Sequence, residues 1–337
     1  MMATIAGMSN TSHASWDIIG HQWAADMLAA RLASGRAGHA YLFTGIESLG
    51  KSLLALRLAQ ALNCTGSNPP CRGCRACDLI ERGQHPDVIT VDADGSIIKI
   101  EAVRDLIAGL TLRPVEARLR IGIILNAERL TPSAADALLK TLEEPPETAR
   151  LLLTASQVEA LPLTIASRCQ VIPLRPVPAV EVEMALAGRQ DIPPEQAGLL
   201  ARLSAGRPGW AIRAAAQPEL LSGRAETLEG LLGALRANRS GRFAYSEAIS
   251  GHAADLGPIL DLWQSWLRDV VLMAEGGQAE SVNIDQAEVI AEVARTAGRE
   301  RARAALEAVH QTAVLLADTN ANARLALDVM LLKLPYL

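Results

Sequence analysis

Aromatic side chains are scarce in this sequence: Phe, Trp and Tyr together make up 3% of 337 residues. A protein that stacks unpaired bases needs rows of aromatic rings, so a base-stacking platform is excluded. Positive charge is not in excess either. The 32 Lys and Arg stand against 37 Asp and Glu, for a net charge of −5. Proteins that grip DNA or RNA alone neutralise phosphates and are usually basic, so the balance argues against a stand-alone nucleic-acid binder. No apolar run approaches the roughly 20 residues needed to cross a bilayer. Residues 1–15 carry no basic stretch followed by an apolar core, so no secretory signal is read there. Five cysteines without an export signal point to reduced thiols or a metal rather than a disulfide framework. What is abundant is apolar. Half the residues are hydrophobic and 20% are charged, which excludes a disordered chain. The length leaves room for two or three domains of roughly 100–150 residues.

Residues 1–15 are small and polar and read as a flexible leader. Helical periodicity begins near His21, with Trp23, Met27, Leu28 and Leu32 on one face. From residue 16 to about 175, short apolar runs alternate with helical patterns. Ala40–Phe43, Val88–Val91, Arg120–Leu125, Leu151–Thr154 and Gln170–Pro173 read as strands. Helices are expected over 52–63, 100–110 and from Pro132, with Thr131 as N-cap. That alternation predicts an α/β fold with a parallel sheet. Pro173, Pro176 and Pro178 mark a boundary, beyond which the pattern is helical to the end. It is interrupted at Gly206-Arg207-Pro208-Gly209 and at Gln217-Pro218.

Gly45 to Ser52 fits G-x-x-x-x-G-K-S, with a predicted strand before it and a predicted helix after it. Backbone N–H groups of such a loop, with the following helix N-terminus, cradle phosphates. Lys51 would reach the β- and γ-phosphates, and Ser52 would ligate Mg²⁺. Gly45, Ser48, Leu49, Gly50, Lys51, Ser52 and Leu53 are the candidate residues for ATP or ADP. The loop implies binding and does not by itself imply hydrolysis. A hydrolytic site of this kind also needs an acid at the end of a second strand. Here Ile121–Leu125 runs into Asn126-Ala127. A neutral amide cannot supply the charge, and Glu128 would point to the opposite face if the strand persisted. Weak or absent turnover is therefore expected, the rival being that Glu128 rescues activity.

Cys64, Cys71, Cys74 and Cys77 follow C-x6-C-x2-C-x2-C. Four thiolates in so short a stretch suit tetrahedral Zn²⁺ in a closed, structural site. Pro69, Pro70 and Gly73 permit the tight turns. An iron–sulfur cluster is the main rival, although the spacing differs from ferredoxin runs. Four unliganded thiols are the other alternative.

The phosphate loop, the embedded cysteine knuckle, Ala137-Leu138-Leu139-Lys140-Thr141-Leu142-Glu143-Glu144-Pro145-Pro146 and Ser167-Arg168-Cys169 occur in that order. The combination resembles the AAA+ subunits of the bacterial DNA polymerase III clamp loader. Asn320–Leu327 is similar to the last collar helix of that family. The resemblance implies an AAA+ domain at 16–178 with the knuckle at 64–77, a helical lid at 179–214 and a helical collar at 215–337. It implies partners: the gamma/tau ATPase and delta subunits in a hetero-pentamer, with the sliding clamp and primed DNA reached through the complex. A cytoplasmic, replisome-associated location follows.

Within the family, Asn126-Ala127, Gly209 at the place of a sensor arginine, and a chain ending soon after its collar favour the delta-prime type over the gamma/tau ATPase. The complete phosphate loop departs from many delta-prime members. The resemblance also gives Arg168 a role, as a finger reaching the ATP of a neighbouring subunit, with Ser167 and Cys169 positioning its loop. Ala134, Leu138 and Leu142 read as a buried stripe, and Lys140, Glu143 and Glu144 as solvent-exposed. Arg295, Arg299, Arg301 and Arg303 lie beside Glu300 and Glu307 and read as a salt-bridged helix surface.

Overall fold

The computed structural model describes residues 16–93, 97–251, 256–277 and 281–337. The expected leader lies outside the described residues. The chain divides into two compact units, one formed by residues up to 182 together with 206–209, the other by 183–205 and 210–337.

The first unit is built on five strands: β1 (Ala40–Thr44), β2 (Val88–Val91), β3 (Arg120–Ile124), β4 (Ala149–Ala155) and β5 (Gln170–Pro173). They pair in the order β2-β3-β4-β1-β5, and every pairing is parallel. β1, β3 and most of β4 are buried, as strands covered on both faces must be. That is why they read as continuous apolar runs rather than alternating ones. The helices are α1 (Gln22–Ala33), α2 (Lys51–Asn63), α3 (Arg75–Glu81), α4 (Ile100–Thr111), α5 (Pro132–Glu143) and α6 (Leu163–Ala166). Leu28, Leu54, Leu58 and Ile80 pack in one core cluster with Tyr41 and Phe43. Val103, Leu106, Leu138 and Leu142 pack in another with Leu42 and Leu153. The expected N-cap is present: Thr131 Oγ1 accepts from Ala134 N–H at 3.3 Å.

One helical face differs from expectation. α1 buries Ala24, Ala25 and Leu28, whereas Trp23 is 49% exposed. The small alanines form the contacting stripe and leave the indole outside it.

Asp87, fully buried just before β2, organises the loop that leads into β3. It accepts from the backbone N–H groups of Val115 (2.7 Å), Glu116 (2.9 Å) and Ala117 (2.8 Å) and pairs with Arg120 Nε at 3.3 Å. Burial alone pushes its carboxyl up. The three amide donors and Arg120 outweigh that effect and hold it below the ordinary carboxylate range. A depressed native pKa stabilises the fold at pH values above the unfolded value of about 3.9. The contribution is lost as pH falls through the native pKa. Asp87→Asn leaves Arg120 without its buried partner, at an expected cost of about 3–5 kcal/mol. Thermal melting should show this gap at neutral pH, and the gap should narrow below about pH 4 as the wild type is itself protonated.

The second unit is helical: most of α7 (Ala179–Ala187), α8 (Pro194–Leu203), most of α9 (Pro208–Ala216), α10 (Glu219–Arg236), α11 (Arg239–Ser250), α12 (Leu256–Ala274), α13 (Ala287–Asp318) and α14 (Ala323–Lys333). Its core gathers Leu228, Leu231, Trp263, Trp266, Val293, Val309, Leu327 and Met330. Arg242, fully buried, donates to the carbonyls of Leu235, Leu331, Leu334 and Pro335 and lies 3.7 Å from the Tyr336 ring centre. It thereby satisfies carbonyls that the end of α14 leaves open. In the arginine cluster, Arg303 pairs with Glu275 rather than with Glu300 or Glu307.

Candidate functional site

The phosphate loop connects β1 to α2, as its sequence requires. Gly45 has φ 141°, and a Cβ on it would lie 2.6 Å from the carbonyl oxygen of Leu174, so only glycine fits. Gly50 caps α2, and Leu54 N–H donates to Gly50 O at 2.8 Å. The first turn of α2 therefore opens onto the loop with its remaining N–H groups directed there. Lys51 is 8% exposed, and its Nζ donates to Gly45 O (2.6 Å) and Ile46 O (2.9 Å). Two of its three protons are held by the loop itself, and one remains for a ligand. Burial lowers the Lys51 pKa, while Glu128 and Glu47 act against that shift.

Gly209 lies against the same loop. Its N–H donates to Ser48 O at 2.9 Å, and a Cβ there would meet that oxygen at 2.9 Å. A side chain of any kind at 209 would press on the phosphate loop.

The end of β3 carries no acid. The strand stops at Ile124, and Asn126 takes a left-handed conformation with φ 53°. Its N–H donates to Thr154 Oγ1 at 2.9 Å, and its amide Nδ2 reaches Asp92 Oδ1 at 3.3 Å.

Cys64, Cys71, Cys74 and Cys77 come together over the stretch from the end of α2 to the first turn of α3, with their four Sγ atoms all within 4.8 Å of one another. A tetrahedral zinc with Zn–S of about 2.3 Å sets S···S separations near 3.8 Å, so this donor set fits the ion with small adjustments. The N–H groups of Gly66 and Cys71 point at Cys64 Sγ (3.3 and 3.4 Å), and that of Cys74 at Cys71 Sγ (3.3 Å). Such donors suit sulfurs carrying negative charge. The knuckle is fastened to the domain by Arg118 Nη2 on Cys64 O (2.6 Å) and by Gln60 Nε2 on Cys77 O (2.8 Å). Cys169 is apart from this cluster, and burial pushes its thiol up to about 12, leaving it protonated.

Arg168 follows α6. Its Nη2 donates to Glu143 Oε1 at 2.6 Å and its Nη1 to Thr164 O at 2.8 Å. The arginine side chain is 35% exposed and that of Glu143 50% exposed.

A family model of the DNA polymerase III delta subunit matches residues 20–178. A second, of the C-terminal part of that subunit, matches residues 218–335. The chain belongs to the AAA+ clamp-loader family of DNA polymerase III subunits. Relatives of both subunit types are similar to this clamp-loader chain. Subunit tau of Escherichia coli K12 is 41% identical over 155 residues, covering 45% of this chain and 24% of that protein. Subunit delta' of Bacillus subtilis 168 is 37% identical over 179 residues, covering 53% of this chain and 54% of that protein. Subunit tau/gamma of Haemophilus influenzae Rd is 35% identical over 189 residues, covering 55% and 27%. The matched stretch thus spans between about a quarter and about half of these relatives.

Two features of this clamp-loader chain were not legible in its sequence. Glu143 is solvent-exposed, as its sequence position implies, but it is also the partner of Arg168, which no local pattern shows. Glu128, expected to face away from the loop, does not: β3 does not persist, and residues 127–129 form a tight helical turn. That turn brings Glu128 Oε1 to the N–H of Ser156 at 3.1 Å, while Ser156 O accepts from Gly45 N–H at 3.1 Å. The carboxylate therefore stands beside the phosphate loop.

Proposed function

We propose that this chain is a delta-prime-like clamp-loader subunit that does not turn over ATP and supplies Arg168 in trans to a neighbouring ATPase. The reading is carried by the pairing of an acid-free β3 end, at Asn126-Ala127, with an arginine fork on a partly exposed loop. Gly209 supports it, because the backbone contact with Ser48 leaves no room there for a sensor side chain. In this reading residues 16–178 form the AAA+ domain, 179–214 the lid and 215–337 the collar. Gly45, Ser48, Leu49, Gly50, Lys51, Ser52 and Leu53 hold ATP or ADP with Mg²⁺. Cys64, Cys71, Cys74 and Cys77 hold a structural Zn²⁺, which would cross-link the segment between α2 and α3. The partners are the gamma/tau ATPase and delta subunits of a hetero-pentamer, which reaches the sliding clamp and primed DNA as a whole. The location is cytoplasmic, and no described helix is long and apolar enough to cross a membrane.

A gamma/tau-type ATPase is the second reading, favoured by the complete phosphate loop and by the 41% identity to subunit tau. Assembly is the test of the family role. The chain, mixed with the gamma/tau and delta subunits of its own organism, should elute with them as one complex on size exclusion. Elution as a free monomer at micromolar concentrations would count against the role.

A further inference from the structure

Glu128 is an acid that the proposed function leaves unused. Its Oε1 accepts from Ser156 N–H at 3.1 Å, Ser156 O accepts from Gly45 N–H at 3.1 Å, and Gly45 O accepts from Lys51 Nζ at 2.6 Å. The backbones of two residues, Ser156 and Gly45, thus join the carboxylate to the lysine of the phosphate loop. The second oxygen, Oε2, is buried and has no hydrogen-bond partner among the described residues. An unpaired buried carboxylate oxygen is costly, and such cost persists where a ligand relieves it.

The other groups around Lys51 do not share this character. Glu47 also acts on Lys51, but it sits exposed on the loop, where water screens it. Past the end of β3, beside Glu128 in sequence, Asn126 is neutral; it donates to the neutral Thr154 hydroxyl and to the Asp92 carboxylate.

We propose that Glu128 makes this loop selective for magnesium-bound nucleotide over the free nucleotide anion. The proposal rests on the reading that Gly45–Ser52 holds a nucleotide. A carboxylate and a polyphosphate near the same lysine are both negative. In a partly dry site they repel strongly, because little water lies between them to screen the charge. A divalent cation between them reverses the sign, since Mg²⁺ takes hard oxygen ligands and keeps several waters that a carboxylate oxygen can accept from. One oxygen of Glu128 is already spent on Ser156, so Oε2 is the oxygen left for such a water. The residue acts on ligand choice and is not assigned to bond breaking.

Calorimetric titration of the full chain with ADP tests this, in buffer containing magnesium and in magnesium-free buffer without a chelator that would strip zinc. The wild type should bind ADP at least roughly tenfold more tightly with magnesium. Glu128→Gln, which keeps an oxygen to accept from Ser156 N–H, should lose most of that ratio, chiefly by gaining affinity for free ADP. Glu128→Ala should lose it as well, and circular dichroism checks that both variants are folded. A wild-type ratio retained by both variants would overturn the proposal, as would wild-type binding that is indifferent to magnesium. Absence of ADP binding in both buffers, with Lys51→Ala indistinguishable from wild type, would overturn the nucleotide reading itself and the selectivity with it.

Discussion

Arg168→Ala, introduced into an assembled clamp loader, is expected to lower DNA-stimulated ATP hydrolysis by about 10³-fold or more while leaving the chain folded. The size follows from what an arginine finger does: it neutralises charge that develops on the transferred phosphoryl oxygens. The unchanged fold follows from the contacts Arg168 makes here. Its pair with Glu143 is half in solvent, and exposed pairs contribute at most about 1 kcal/mol. A guanidinium held so lightly can exchange Glu143 for a phosphate. Arg168→Lys should not restore the rate, because an ammonium has no planar fork to bridge two oxygens. Melting temperature and circular dichroism of the isolated variant separate a lost finger from a lost fold.

Loss of the proposed zinc from the cysteine knuckle is expected to have the largest effect on stability. Structural zinc in small modules is bound with apparent free energies of roughly 10–16 kcal/mol, and much of that is folding free energy. Elemental analysis should find one zinc per chain and no iron. Cys71→Ser with Cys74→Ser should abolish zinc content and lower the melting temperature. The damage should reach beyond residues 64–77, because Gln60 on α2 and Arg118 before β3 both hold knuckle carbonyls. A chain purified without metal, with a melting temperature indifferent to the substitutions, would refute the zinc assignment. Iron in place of zinc would select the cluster alternative.

The sequence made much of this architecture legible where one signal dominated. A strand covered on both faces must be an unbroken apolar run, so β1, β3 and β4 were found near their true limits. The Thr131-Pro132 cap, the phosphate loop and the cysteine spacing are local chemistry, and the structure places each as the local pattern requires. What escaped depends on contacts distant in sequence. The exposure of Trp23 follows from which face of α1 the rest of the domain covers, and periodicity ranked the large residues above the alanines. The position of Glu128 turned on where β3 stops, a matter of one left-handed residue at Asn126. The Arg168–Glu143 pair spans 25 residues, and the donors that fix Asp87 lie 28 to 30 residues away. Arg168 and Glu143 stay partly exposed, whereas Asp87 and Arg120 read as surface until the fold closes around them. Arg242, fully buried with partners up to 93 residues on, is a further case.

In the proposed role this chain lends an arginine to a neighbour's nucleotide rather than consuming its own. The most direct measurement compares DNA-stimulated ATP hydrolysis by two assemblies that differ only in this chain, one carrying Lys51→Ala and the other Arg168→Ala. Hydrolysis should collapse with Arg168→Ala and persist for the most part with Lys51→Ala. Collapse with Lys51→Ala alone, with Arg168→Ala as active as wild type, would contradict the claim and identify the chain as the ATPase.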